Sequence, residues 1–194
     1  MALSAHSYET LLERRRSIRD YEDRAVPLEM IDTIIRESTY APNASNEQPW
    51  KFVVVRDKAF MRQLSDESKK NILARIEKNP ADPSAKYAQV LRNVAYNVFY
   101  NAPCLIVIAG PKGRRNLAVD CALAAGYLMM SAVAHGLGTC WINMGADIRD
   151  PGMRARMGLN DELEIVAPII FGYPRRIPPA PKRNPPDILA VIDP

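Results

Sequence analysis

The stretch that decides the fold is Ala41-Pro42-Asn43-Ala44-Ser45-Asn46-Glu47-Gln48-Pro49-Trp50, which runs directly into the apolar segment Phe52-Val53-Val54-Val55. The polar residues predict a turn, and the apolar segment predicts a short strand. Asn and Ser in such a turn often hydrogen-bond only their own backbone, and Trp50 can belong to the core. The side-chain amides of Asn46 and Gln48 can equally form hydrogen bonds with the heteroatoms of a ligand.

Three arginines and a serine lie upstream, in the segment Arg15-Arg16-Ser17-Ile18-Arg19. Guanidinium groups bind phosphate oxygens in bidentate geometry, and a hydroxyl adds a further donor. If Ser17 to Tyr21 is extended, residues 15, 17 and 19 share one face, because side chains alternate along a strand. The alternative is a solvated basic end of the first helix, where cations also suit the helix dipole.

The composition is typical of a globular protein, with 194 residues, 47% of them apolar, and 26 Lys and Arg against 22 Asp and Glu. We predict a single domain over residues 1–194, with an extended proline-rich arm from about residue 173. We expect no membrane-spanning run and no signal peptide, and therefore a cytoplasmic protein. Three separated cysteines predict reduced thiols, and two histidines are too few to predict a metal site.

Hydrophobic periodicity and turn residues predict the order of the elements. Helices are expected from Tyr8 (with Ser7 as N-cap) to Arg15, from Pro27 to near Tyr40, within Lys58 to Lys78, across Tyr87 to Val98, and from Leu117 to His135. Strands are expected at Phe52 to Val55, Pro103 to Ala109, Thr139 to Ile142 and Glu164 to Gly172. The last residues are rich in proline, so we expect an extended arm with a short element at Ile188 to Ile192.

The segment from Leu117 to His135 is apolar around nearly its whole circumference, which predicts a helix that is buried on most sides. Small residues, including Gly126, would let another helix approach closely. Either the core of a monomer or a dimer interface would bury this helix.

These segments, in this order, resemble motifs of the nitroreductase family of FMN enzymes. Residues 15–19 resemble the family's Arg-Arg/His-Ser-x-Arg/Lys opening, and residues 42–55 resemble its Pro-Ser-x-x-Asn-x-Gln-Pro-Trp-x-Phe-x-Val-Val stretch. Residues 136–142 resemble the segment over the flavin ring, and Gly172-Tyr173-Pro174 followed by Lys182-Arg183 resembles the end of the family pattern. The resemblance runs from about Tyr8 to Asn184. It implies an α+β fold, with a mixed sheet flanked by helices, and a homodimer with FMN at the subunit interface.

The resemblance also implies a set of cofactor-binding residues. Arg15, Arg16 and Ser17 would hold the phosphate and the lower ribityl chain of FMN. Arg19 would sit by N1 and O2 of the pyrimidine ring. The other implied positions are Asn43, Asn46, Gln48, Cys140, Trp141, Ile142, Asn143, Lys182 and Arg183. Among them, Asn46 would bond the ring edge, and Arg183, supported by Lys182, would close the phosphate site.

The implied activity is that of an NAD(P)H-dependent FMN oxidoreductase with a ping-pong mechanism. NADH or NADPH would pass hydride to flavin N5 and leave, and a nitroaromatic, a quinone or an activated alkene would then be reduced. No catalytic side chain is needed, because FMN carries the chemistry and Arg19 supplies electrostatic support. Asp66 to Tyr100 would form a variable lid region, and Met144 would narrow the access to N5.

Two other functions stay open. The chain could be a flavin carrier or sensor that holds FMN without turnover. It could instead bind anions or nucleic acid through Arg14 to Arg19, Lys112 to Arg115 and Arg175-Arg176, although only 7% of its residues are aromatic and able to stack on bases. We favour a homodimeric enzyme that acts on small molecules and not on nucleic acid or membranes.

Overall fold

The computed structural model describes residues 8–100 and 102–193, where six helices and four strands follow one another irregularly. The helices are α1 (Tyr8–Arg14), α2 (Leu28–Ser38), α3 (Lys58–Lys78), α4 (Ala88–Arg92), α5 (Leu117–Ala134) and α6 (Pro151–Arg156). The strands are β1 (Lys51–Val55), β2 (Cys104–Pro111), β3 (Gly138–Trp141) and β4 (Leu163–Gly172). Short 3₁₀ turns lie at Ala44–Asn46, Ala85–Tyr87 and Asn143–Ala146.

The four strands form one sheet in the order β1-β2-β4-β3, and its three ladders are antiparallel. The predicted α+β class, with helices flanking a sheet, is confirmed. A mixed sheet, as expected from the resemblance, would also contain parallel pairing. Parallel pairing is found between Ser17 and Thr139, as an isolated bridge outside the four strands. Strand β2 lies inside the sheet and is buried along nearly its whole length, as its apolar sequence predicts.

The two faces of the sheet build separate cores. On one face, Leu105 of β2 packs in a cluster with Leu64 of α3. On the other face, Ile106 packs in a cluster with Ile34 of α2 and Leu128 of α5. Neighbouring residues of β2 serve opposite cores because side chains alternate along a strand. Helix α3 therefore covers one side of the sheet, and α2 and α5 cover the other.

Local sequence signals set several helix boundaries. Asp57 caps α3, because its carboxylate accepts hydrogen bonds from the N–H groups of Ala59 and Phe60 at 2.9 and 3.1 Å. Gly136 follows α5 with a φ of 74°, a left-handed conformation that glycine adopts without a steric penalty. The N-cap predicted at Ser7 lies outside the described residues.

The helix predicted across Tyr87 to Val98 is wrong beyond Arg92, where α4 ends. Asn93 is extended, and its side-chain oxygen accepts a hydrogen bond from the Ala95 N–H at 2.9 Å. An Asn side chain that bonds the backbone two residues further on favours a turn over a helix. This turn places the side chain of Val94 in solvent, although its spacing had suggested the apolar face of a helix.

The C-terminal arm lacks the short final element predicted at Ile188 to Ile192, and its extended course stays a prediction. Residues 175–193 contain no helix or strand among the described residues. Its large apolar side chains are exposed at Ile188, Leu189, Val191 and Ile192. A short segment gains little from backbone hydrogen bonding alone, so an element there requires a surface to pack against.

Helix α5 is buried on one face only, so the prediction of burial on most sides is wrong for the single chain. Ala124 and Leu128 are fully buried, whereas Val119, Leu123 and Tyr127 are 60%, 39% and 44% exposed. The three exposed residues are spaced by four and therefore form one apolar stripe. By length and composition α5 could also cross a membrane, which corrects the expectation that no such run exists. Its inner face packs on the sheet, as a core helix does.

Candidate functional site

The segment after α1 is extended and lies beside β3. Ser17 forms a parallel bridge with Thr139, and the Ile18 N–H donates to the Thr139 carbonyl at 2.9 Å. Tyr21 forms an antiparallel bridge with Pro174. The extended path predicted for this segment is therefore found at both of its ends, and alternation gives residues 15, 17 and 19 a common side.

Three predicted site residues on this segment act on the thiol of a fourth, Cys140. Burial raises the pKa of the Cys140 thiol, and the charge of Arg19, a hydrogen bond with Ser17 and the charge of Arg15 oppose that rise. These four side chains are therefore electrostatic neighbours. We call Arg15, Ser17, Arg19 and Cys140 the arginine cluster.

The arginines at this site lack acidic partners. Arg36 and Arg149, elsewhere in the chain, each pair with an aspartate at 2.7 Å. In the part of the chain that the structure describes, no carboxylate forms an ion pair with Arg15, Arg16 or Arg19. Their charges are therefore available to an external anion, such as a phosphate or an electron-rich ring edge. This donor set fits FMN.

Arg16 lies on the other side of the extended segment. Its Nη1 donates to the Arg15 carbonyl at 2.7 Å, and its side chain lines a small cavity of about 40 Å³ with Ile18 and Gly138. Alternation along the segment separates Arg16 from the arginine cluster. Its contact with the phosphate stays a prediction.

The predicted amide residues lie together in the turn formed by residues 43–48. The Asn43 Oδ1 accepts a hydrogen bond from the Gln48 N–H at 2.8 Å, and the Gln48 Nε2 donates to the Asn46 Oδ1 at 3.3 Å. Asn43 thus hydrogen-bonds the backbone of its own turn, which was one of the two expectations for this segment, while the side chains of Asn46 and Gln48 stay exposed. Ser45, Asn46 and Gln48 have φ values of 52°, 52° and 47°. Such left-handed backbone costs non-glycine residues about 1 kcal/mol or more each, and it concentrates at functional sites.

The turn and the arginine cluster lie toward opposite ends of α5. The Ala44 N–H donates to the Asp120 Oδ1 at 3.1 Å, and Glu47 pairs with Arg114, so the turn is fixed to the beginning of the helix. Ser17 instead pairs with β3, which follows the end of the helix. With 18 residues, α5 is roughly 27 Å long. One chain therefore does not join the two parts of the predicted site.

The side chains of the residues after Cys140 lie in different parts of the structure. Trp141 packs in the core on the α5 side, and Ile142 is buried in the opposite core. Asn143 is exposed and lines a cavity of about 380 Å³ together with Met144. Only Cys140 belongs to the arginine cluster, so ligand contacts at the next two positions would come through backbone groups.

Lys182 and Arg183 lie in the exposed C-terminal arm. Neither forms a hydrogen bond or an ion pair with another described residue. Their return to the phosphate stays a prediction.

Sequence reasoning missed two tyrosines beside the cluster. The Arg19 guanidinium carbon lies 5.7 Å from the centre of the Tyr100 ring, and the Tyr100 ring meets the Tyr96 ring edge to face with centroids 6.1 Å apart. Both belong to the segment that was predicted only as a variable lid. The signal that could have found them is a pair of tyrosines spaced by four just before a buried strand.

A groove of about 590 Å³ runs along the exposed face of α5. Leu123 and Tyr127 of α5 line it together with Tyr8 and Leu11 of α1, and Arg15 lies at its edge. The groove is therefore mainly apolar and continues to the arginine cluster. An apolar groove of this kind is typical of an interaction surface.

The cysteine thiols are not activated nucleophiles. All three are buried, and burial raises the pKa of Cys121 to about 11 and that of Cys104 to about 12. We expect the native protein at neutral pH to react slowly with Ellman's reagent, and the urea-unfolded protein to titrate three thiols rapidly. Rapid reaction of the native protein would contradict this assignment.

Known proteins resemble this chain along most of its length. A model of the nitroreductase family matches residues 12–173. A protein of Archaeoglobus fulgidus named "Putative NADH dehydrogenase/NAD(P)H nitroreductase" is 26% identical over 170 residues, covering 85% of this chain and 84% of that protein. Iodotyrosine deiodinase 1 of Homo sapiens is 27% identical over 210 residues, covering 98% and 70%. The crystal structure of a nitroreductase with bound FMN from Bacteroides fragilis superposes with a TM-score of 0.78 at 21% identity, covering 97% and 99%.

Proposed function

The chain belongs to the nitroreductase family, and on that premise we propose that it is an FMN-dependent oxidoreductase that uses NADH or NADPH to reduce a small organic acceptor. The observation that carries this proposal is the arginine cluster, in which two cations that form no ion pair with a described carboxylate lie beside a hydroxyl and a buried thiol. When bound there, FMN supplies the redox chemistry, accepting electrons from the nicotinamide and passing them to the acceptor in two separate half-reactions.

The chain's own residues bind and orient this cofactor. Arg15 and Ser17 hold its phosphate end, because a guanidinium and a hydroxyl complement phosphate oxygens. Arg19 places a positive charge at the pyrimidine edge, where negative charge develops on reduction. No side chain needs to act as a general base, and the raised pKa of the Cys140 thiol fits a packing role.

A second copy of the chain completes the site. The turn of residues 43–48 and the arginine cluster are separated along α5, and the face of α5 between them carries the exposed stripe of Val119, Leu123 and Tyr127. Two copies that pack this face antiparallel about a twofold axis bring the turn of one copy to the arginine cluster of the other. In such a homodimer, the groove along α5 and the apolar end of the arm also gain partners.

The relatives support this reading without choosing the acceptor. The Archaeoglobus fulgidus protein carries NAD(P)H in its name, which supports a nicotinamide reductant. The likeness to iodotyrosine deiodinase 1 favours a second candidate activity on the same scaffold, reductive removal of iodine from an aromatic ring. Three free thiols fit a reducing compartment such as the cytoplasm.

Anaerobic absorbance spectroscopy tests the proposal. We expect the purified protein to show a flavin spectrum that NADH or NADPH bleaches and that a nitroaromatic, a quinone or 3-iodotyrosine restores. A flavin that neither nicotinamide bleaches would instead indicate a carrier or sensor. A protein that neither contains nor takes up FMN would contradict the proposal, and salt-sensitive binding of RNA or DNA would then favour a basic binding module.

A further inference from the structure

Two tyrosines form a fixed aromatic pair beside Arg19. The rings of Tyr96 and Tyr100 are nearly perpendicular, at 89°, and their hydroxyl oxygens are 3.3 Å apart. The Arg19 guanidinium stacks toward the Tyr100 ring at 5.7 Å. This is the edge-to-face arrangement that aromatic rings prefer, with a cation held against one of them.

Helix α3 holds the loop that carries this pair, residues 93–100, which we call the tyrosine loop. The Nζ of Lys69 donates to the carbonyls of Tyr96 and Asn93 at 2.8 and 3.4 Å, and the Ser65 Oγ accepts a hydrogen bond from the Val98 N–H at 3.0 Å. Lys69 and Ser65 are both buried, so these bonds are shielded from water. The tyrosine loop is therefore preorganised.

Tyr100 is held in a strained conformation. Its φ is 51°, in the left-handed region that a bulky side chain rarely adopts. Holding a residue there is unfavourable, and the surrounding structure has to offset that cost. The side chain is only partly buried, so core packing alone does not account for this geometry.

The tyrosine pair packs against the same core as Cys140 of the arginine cluster. Met144 packs there with Tyr96 and Tyr100. The charge of Arg19 influences both the Tyr96 phenol and the Cys140 thiol, so both lie within electrostatic reach of it. Burial is the main cause that raises the pKa of Tyr96, and the Tyr96 hydroxyl donates its hydrogen bond to the Tyr100 oxygen, which leaves the Tyr100 O–H to donate to another group.

We propose that Tyr96 and Tyr100 form the acceptor-binding wall of the site and select aromatic acceptors that carry an oxygen substituent. This inference rests on the proposed function. An edge-to-face pair presents a further ring surface to an incoming aromatic ring. A phenol O–H also donates a hydrogen bond to a nitro oxygen or a quinone carbonyl. An aliphatic acceptor with a carbonyl group gains this hydrogen bond but not the ring contact.

Replacement of Tyr100 tests the proposal through a ratio of specificities. The readout is kcat/KM for 4-nitrobenzoate relative to kcat/KM for N-ethylmaleimide, which has an activated alkene and no aromatic ring. We expect Tyr100→Ala to lower this ratio about tenfold, because only the aromatic acceptor loses the ring contact, whereas the lost hydroxyl affects both acceptors. Tyr100→Phe keeps the ring, so it is expected to leave the ratio unchanged and to lower kcat/KM for both acceptors a few-fold. Val94→Ala, in the same loop but with an exposed side chain, is the matched control and is expected to leave the ratio unchanged.

Failure of this inference is separable from failure of the proposed function. If Tyr100→Ala slows both acceptors equally, or slows neither, the tyrosine pair is not an acceptor wall and the inference is overturned. Should Tyr100→Ala not fold, Tyr100→Leu removes the ring while filling more of its volume, and an unchanged ratio in that variant would overturn the inference instead. A wild-type protein that binds no FMN, or whose FMN is not reduced by a nicotinamide, would contradict the proposed function before any variant is made.

Discussion

Replacing Arg19 with alanine is expected to slow the reduction of bound FMN by NADH or NADPH about a hundredfold, while part of the FMN stays bound. Removing one preorganised donor at a site of developing negative charge typically costs about 3 kcal/mol of transition-state stabilisation. Arg15 and Ser17 remain in this variant to hold the phosphate. Because no described carboxylate pairs with Arg19, the substitution leaves no unpaired acid behind.

Stopped-flow absorbance under anaerobic conditions measures this effect. Arg19→Lys keeps the charge without the planar fork and is expected to recover most of the rate. Arg36→Ala is the matched control, because Arg36 forms an exposed ion pair with Asp32 on α2, and such pairs contribute little. Reduction kinetics that are unchanged in Arg19→Ala would contradict the electrostatic role of this residue.

The second large effect is expected on the exposed face of α5. Leu123→Glu should convert the protein to monomers and remove most of its FMN. Leu123 is 39% exposed in the single chain, so the fold itself tolerates a charge there. In the proposed dimer the same carboxylate would be buried without a partner, which costs several kcal/mol.

Light scattering and the ratio of flavin to protein measure the two parts of this prediction. Val94→Glu makes the same change at a residue that is 82% exposed in the tyrosine loop and is expected to leave the dimer intact. A Leu123→Glu protein that stays dimeric would contradict the assignment of this face as the interface. A monomer that keeps its FMN would contradict a site shared between two copies.

The sequence predicted the elements well where a local signal decides them. The strands match within about two residues, since each is a short apolar run bounded by turn residues, and Asp57 and Gly136 mark helix ends. Two predicted elements were wrong. After Arg92 a side-chain bond of Asn93 prevails over helical spacing, and residues 188–192 form no helix or strand. Apolar periodicity predicts which residues form an apolar face, but it does not predict which element or chain packs against that face.

The candidate site was predictable only where residues close together in the sequence form it. Alternation along an extended segment places Arg15, Ser17 and Arg19 on one side, and the bridge from Ser17 to β3 brings Cys140 within their electrostatic reach. The tyrosine pair depends on bonds from Lys69 and Ser65, which lie some 30 residues upstream, and no local pattern encodes such contacts. In the proposed dimer, a second chain brings the turn of residues 43–48 to the cluster, and local sequence patterns do not specify that geometry.

Hybrid dimers provide the most direct test of the central claim, that one FMN site takes the arginine cluster from one copy and the turn from the other. The first variant, Arg15→Ala with Arg19→Ala, removes the cluster. The second variant, Asn46→Gly with Gln48→Gly, removes two amides at positions where the positive φ suits glycine. Each variant alone is expected to retain little FMN.

The measurement is the FMN retained after the two variants are unfolded together, refolded and purified. Random pairing makes about half of the dimers hybrid, and each hybrid carries one site with both native parts, so the account predicts about a quarter of the wild-type flavin. Flavin in the mixture that does not exceed the average of the two separate variants would contradict a site built from two copies.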